Sequence, residues 1–152
     1  MKAAMTEIAF HFNAPDKLAY ACRLLRKAVS SGAQVVVTGD AARLSALDTQ
    51  LWTFAALEFV PHCRADSPAE QRLASPVILA TDLQDHNALP HHQVLVNLGQ
   101  EVVPGYERFE RVIEVVTLDD SDRQFARQRW KHYADRGYSI TRHDLKLKET
   151  SA

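Results

Sequence analysis

Apolar residues along the chain fall into two alternating patterns: short, β-branched runs, and longer stretches in which they recur every three or four positions. The alternation predicts strands interleaved with helices, as in a mainly parallel sheet flanked by helices, and places the chain in the α/β class. Ile8-Ala9-Phe10-His11-Phe12 reads as the first strand, and Pro15 then opens a helix that Gly32 closes. Leu18, Cys22, Leu25 and Val29 form the buried stripe of that helix, with Arg23, Arg26 and Lys27 elsewhere on its circumference. Gln34-Val35-Val36-Val37-Thr38 is apolar throughout, the pattern of a central strand covered on both faces. Asp40 is a candidate N-cap for a second helix, with Ala41, Leu44, Leu47 and Leu51 turned inward and Trp52 and Phe54 at its end.

Beyond it, Val60 to Pro76 reads as an exposed connecting loop, because prolines and polar residues interrupt it. Pro76–Ala80, Val94–Leu98 and Val112–Val116 are three further strands, the first two separated by the polar, histidine-rich loop from Asp82 to His92. Asp119, Asp120 and Asp122 then complement the dipole of a last helix that runs to about Arg136 and stops at Gly137, where regular structure is expected to end.

Composition narrows this picture. A length of 152 residues suits one domain, taken as 1–148 with a short tail 149–152, and 46% hydrophobic with 24% charged residues is the balance of a folded protein. A formal net charge of -1 provides no global field for collecting phosphate backbones, so any electrostatic recognition must be local. Cys22 and Cys63 form no CxxC pair, which argues against a zinc site or disulfide framework. The N-terminus lacks the apolar core of a signal peptide, and no run approaches the roughly 20 apolar residues of a membrane span, so a soluble, cytoplasmic protein is expected.

Candidate chemistry is sparse. The turn after the first strand, His11-Phe12-Asn13-Ala14-Pro15-Asp16-Lys17, has no glycine, whereas phosphate-binding loops need glycines for close backbone approach. No nucleotide or other cofactor is expected. Asp82, Asp85, His86, His91 and His92 crowd one loop, but without a HExxH helix or a cysteine pair a solvated polar loop is the better reading, and no metal is expected. Cys63 beside His62 has no neighbouring oxyanion site and reads as a structural thiol. The last helix differs, because Arg123, Arg127, Trp130 and Lys131 share one side of it. Alone, that side reads as a solvated basic face, and Trp52 and Trp130 as core residues.

Three segments together carry a family likeness: Leu51-Trp52 with Glu58-Phe59-Val60-Pro61-His62, the strand Glu114-Val115-Val116, and the helix from Arg123 to Tyr133. In these segments, and in their order and spacing, the chain resembles the chi subunit of bacterial DNA polymerase III. The resemblance implies a Rossmann-like or helicase-like α/β fold without a P-loop, and a non-catalytic accessory role in a DNA-directed DNA polymerase assembly. It implies two partners, the psi subunit of the clamp-loader complex and the acidic, phenylalanine-terminated tail of single-stranded DNA-binding protein. It further implies a tail-binding pocket at Trp52, Val116, Arg123, Arg127, Trp130 and Lys131, with Phe59 as a neighbour. Arg127 would grip the terminal carboxylate and Arg123 and Lys131 would attract the aspartates. Two positions depart from the family pattern, where a lysine often stands at Arg123 and a tyrosine at Trp130. The psi-binding surface is not placed by the resemblance.

Two rival readings remain open at this point. A small-molecule or metal-dependent enzyme would use a site at the strand C-termini, with His11, His62 or the loop from His86 to His92 as its residues. A direct nucleic-acid binder would use the last helix on phosphates.

Overall fold

The strands lie in one parallel sheet in the order β3-β4-β2-β5-β6-β1-β7, formed by β1 (Glu7–Ala14), β2 (Val35–Thr38), β3 (His62–Arg64), β4 (Val77–Ala80), β5 (Val94–Asn97), β6 (Arg111–Thr117) and β7 (Ile140–Asp144). The structure is a computed structural model and describes residues 5–53, 60–83 and 89–145. Helices α1 (Lys17–Ser30), α2 (Ala41–Thr53), α3 (Ala69–Ala74) and α4 (Asp120–Asp135) connect the strands. The α/β expectation holds, and the apolar run of β2 is central as read, between β4 and β5 and wholly buried.

Side chains alternate across the pleat, so each strand feeds two cores. Ala9, Val35, Val37, Leu79, Val96, Ile113 and Val115 pack under α1 and α2, against Cys22, Leu25, Leu44, Leu47 and Leu51. Ile8, Phe10, Val36, Ile78, Leu95, Val112 and Val116 face the other way, toward Ala126 and Tyr133 of α4. In the stripe of α1, Cys22 and Leu25 are fully buried while Leu18 and Val29 lie at its margin.

Several expectations need correction. Val60 to Pro76 is not simply a loop, because it contains β3 and α3. The three residues of β3 carry no apolar alternation and take their place through backbone pairing with β4. Regular structure does not end at Gly137, whose φ of 81° closes α4; the chain returns as β7 to pair with β1. Pro15 precedes the cap of α1: Asp16 is the N-cap, accepting from the Ala19 amide at 2.9 Å.

A polar seam runs between α4 and the sheet. Glu114 on β6 has 0% exposure and accepts from Arg129 Nε at 2.8 Å, the Tyr133 hydroxyl at 2.6 Å and Asn97 Nδ2 at 3.0 Å. Burial pushes its carboxyl up, while Arg129 and the two hydrogen-bond donors pull the other way. Nearby, the Lys17 ammonium meets Asp122 Oδ1 at 3.1 Å and the Leu98 carbonyl at 3.3 Å, and Asp122 Oδ2 accepts from the Thr117 amide at 2.8 Å. For Asp122, burial pushes the carboxyl up, but the Thr117 amide and Lys17 outweigh it and hold it below the ordinary 3.8.

That shift has a consequence for acid stability. The folded aspartate stays ionised where the unfolded one has taken a proton, so its stabilisation is complete above 3.8 and lost as pH falls through the folded value. Urea unfolding between pH 5 and about pH 2 should show stability declining in acid, and Asp122→Asn should flatten that decline.

Candidate functional site: a cationic and aromatic cleft on the last helix

The cleft depends on how α4 is anchored. Asp119 caps the helix, accepting from the Asp122 amide at 3.0 Å, and Asp120 and Asp122 add negative charge where the helix dipole favours it. Arg129 and Tyr133 plunge into the core to reach Glu114, which fixes the rotation of the helix about its axis. With that face committed inward, Arg123 and Arg127, one turn apart, are left exposed on the opposite flank.

Beside this flank lies a cleft of about 510 Å³ lined by Phe10 and Phe12 of β1, Val116 of β6, Arg123, Ala126, Arg127 and Trp130 of α4, and Arg142 of β7. Phe10 and Trp130 pack at a 52° tilt with ring centroids 5.1 Å apart. The Arg142 guanidinium stands 5.0 Å from the Phe12 centroid and 5.8 Å from that of Trp130, within cation–π range of both. Three guanidinium groups therefore surround an apolar, aromatic floor. Such a site can hold a chain that is anionic along its length and carries an apolar ring, with arginine suited to two-pronged grip of a carboxylate.

Of the residues expected in a pocket, Val116, Arg123, Arg127 and Trp130 do come together here. Lys131 is exposed next to Arg127's side of α4 but does not line the cleft. Phe59 lies outside the described residues. Trp52 is elsewhere: it sits on α2, 62% exposed, with its ring against that of His62 at 5.4 Å. Since α2 and α4 cover opposite faces of the sheet, Trp52 does not share the cleft. Phe10, Phe12, Ala126 and Arg142 line the cleft but were not singled out from the sequence. The i, i+2 spacing of the phenylalanines was the available signal, while Arg142 lies on the strand that the sequence reading did not expect.

Of the other candidate residues, His11 and His62 have structural partners, and His91 is buried rather than solvated as its loop was expected to be. His11 Nδ1 is hydrogen-bonded to the Tyr20 hydroxyl, and its ring lies 4.5 Å from that of His143. His62 spans Asp48 Oδ1 and the Val60 carbonyl, each at 2.7 Å. Cys22 is buried, its thiol pushed up to about 11 by desolvation, and Cys63 is half-buried in β3. His91 is buried, whereas Asp85 and His86 fall outside the described residues. At the turn after β1, the Asp16 carboxylate already occupies the end of α1 where a phosphate would otherwise bind.

Comparison with known proteins gives consistent results. The family model for the DNA polymerase III chi subunit, HolC, matches residues 5–141. A curated relative from Pseudomonas aeruginosa, DNA polymerase III subunit chi, is 37% identical over 131 residues, covering 85% of this chain and 87% of the relative. Proteins of the same name from Haemophilus influenzae and Escherichia coli K12 are 26% and 28% identical, covering 80% and 78% of this chain and 82% and 79% of their own.

Proposed function

The chain belongs to the DNA polymerase III chi-subunit family, and from that premise we propose that it is a non-catalytic adaptor whose α4 cleft holds the acidic, phenylalanine-terminated tail of single-stranded DNA-binding protein, while a second surface joins it to psi. The observation that carries the reading is the cleft itself, in which Arg123, Arg127 and Arg142 surround Phe10, Phe12, Val116 and Trp130. A tail ending in aspartates, a phenylalanine and a free carboxylate asks for fixed cations and an apolar seat for its ring. Arg127 takes the terminal carboxylate, Arg123 and Arg142 the aspartates, and the ring enters between Val116, Phe10 and Trp130. Lys131 contributes by long-range attraction from beside the cleft.

Calorimetry with a synthetic tail peptide tests this. Micromolar or tighter binding at low salt, weakening as salt rises and dropping when the C-terminal carboxylate is amidated, is expected. No heat of binding at low salt would overturn it.

An adaptor must hold both partners at once, so its two surfaces cannot overlap. Trp52 supports such a separation, because it presents a large exposed ring next to His62 of β3, the edge strand opposite β7. From β3 to β1 there are five inter-strand steps, a span of about 24 Å. We assign the Trp52 surface to psi. Trp52→Ala should leave tail-peptide affinity within about twofold and weaken psi binding by about tenfold or more, the loss typical of an aromatic hot spot; a pull-down with purified psi and a peptide titration read the two effects separately.

A further inference from the structure

On the face opposite the cleft, α1 lies over β6 and α2 over β4, so among the described residues the helical layer stops short of the sheet edge formed by β1 and β7. A trough of about 690 Å³ remains there, walled by α1 and floored by β1, β6 and β7. Ala9 and Thr141 stand in its floor, Leu24 and Ala28 of α1 form an apolar side wall, and the rings of Tyr20, His11 and His143 gather at one end. Above that wall Arg23 and Lys27 are exposed, and Arg111 stands at the trough's end, set against a single lining carboxylate, Glu7, its partner at 3.2 Å.

A chain of net charge -1 thus concentrates cations around a mainly apolar trough. We propose that this trough is the seat of an amphipathic, acidic helix from a partner protein, completing the helical layer beside α1. Its apolar stripe would lie on Ala9, Thr141 and Leu24, and its Asp or Glu residues would face Arg23 and Lys27. The uncovered sheet beside α1 and the exposed Arg23 and Lys27 argue for an acidic helix, while Tyr20, His11 and His143 in the lining make cross-linking to nucleic acid the outcome to exclude.

The test places a photo-reactive benzoylphenylalanine at position 141 of the full chain in its host cells and identifies the cross-linked segment. That segment, made as a peptide, is then titrated into the purified chain. The expected segment is acidic, becomes helical on binding by circular dichroism, and binds at least about tenfold more weakly to Arg23→Glu/Lys27→Glu, the scale of two charge contacts reversed. Lys27→Ala should give an intermediate loss and Arg127→Ala none, which separates this surface from the α4 cleft. No cross-link, a cross-link to nucleic acid, to a second copy or to the chain's own C-terminal residues, or a peptide indifferent to the charge reversal would overturn the proposal.

Discussion

Arg127→Ala is expected to weaken binding of the acidic tail peptide by about thirtyfold or more, equivalent to about 2 kcal/mol, while leaving the unfolding midpoint unchanged. The reason for the separation is geometric. Arg127 is exposed on α4 and makes no hydrogen bond or ion pair among the described residues, so its removal takes nothing from the fold. What it removes is one of the three guanidinium forks around the aromatic floor, the one proposed to hold the terminal carboxylate. Arg127→Lys should recover part of the affinity, since it restores charge but not two-pronged geometry. Arg123→Ala should cost less and act mainly through the salt dependence, since in the proposed pose it meets aspartates at the rim. Titrations at two salt concentrations, with thermal unfolding of each variant, check both statements.

The largest effect on stability is expected at Glu114. Replacing it with alanine leaves the Arg129 guanidinium, 1% exposed, without its carboxylate and the Tyr133 hydroxyl without its acceptor. Breaking a buried pair from one side typically costs about 3–5 kcal/mol, a large share of the roughly 5–15 kcal/mol that holds a domain together. Urea denaturation of Glu114→Ala should show that loss, and Arg129→Leu combined with Glu114→Leu should be the milder change, since no charge is then left unpaired. Because the pair sets the rotation of α4, tail binding should fall in Glu114→Ala even under conditions where the variant is folded, which Arg127→Ala and Glu114→Ala distinguish by their unfolding curves.

These two residues also mark what could be read from the chain in advance. Arg127 was legible because i, i+4 spacing on a helix puts it beside Arg123 whatever the sheet does. Glu114 was visible only as one acid in an apolar strand, since its partner Arg129 lies 15 residues away and meets it through packing alone. The continuous valines of β2 announced a central strand, whereas β7, Ile140–Asp144, has one aliphatic residue and owes its position to backbone pairing with β1. Arg142 is carried by that strand and is no more legible than it. Trp52 was grouped with Trp130 because the family likeness follows order along the chain, and that order does not say which face of the sheet a helix covers. Phe10 and Phe12 share one side of β1 by alternation, but only the placement of α4 shows which side forms the cleft.

In the reading proposed above, two partners occupy separate surfaces of one small subunit, the cleft under α4 and the Trp52 surface at the far edge. The most direct test is a calorimetric titration of the tail peptide into the chain already saturated with psi. One-to-one binding is expected, with an affinity within about twofold of that for the chain alone, as for sites about 24 Å apart with no shared residues. Loss of peptide binding, or release of psi as the peptide is added, would contradict it.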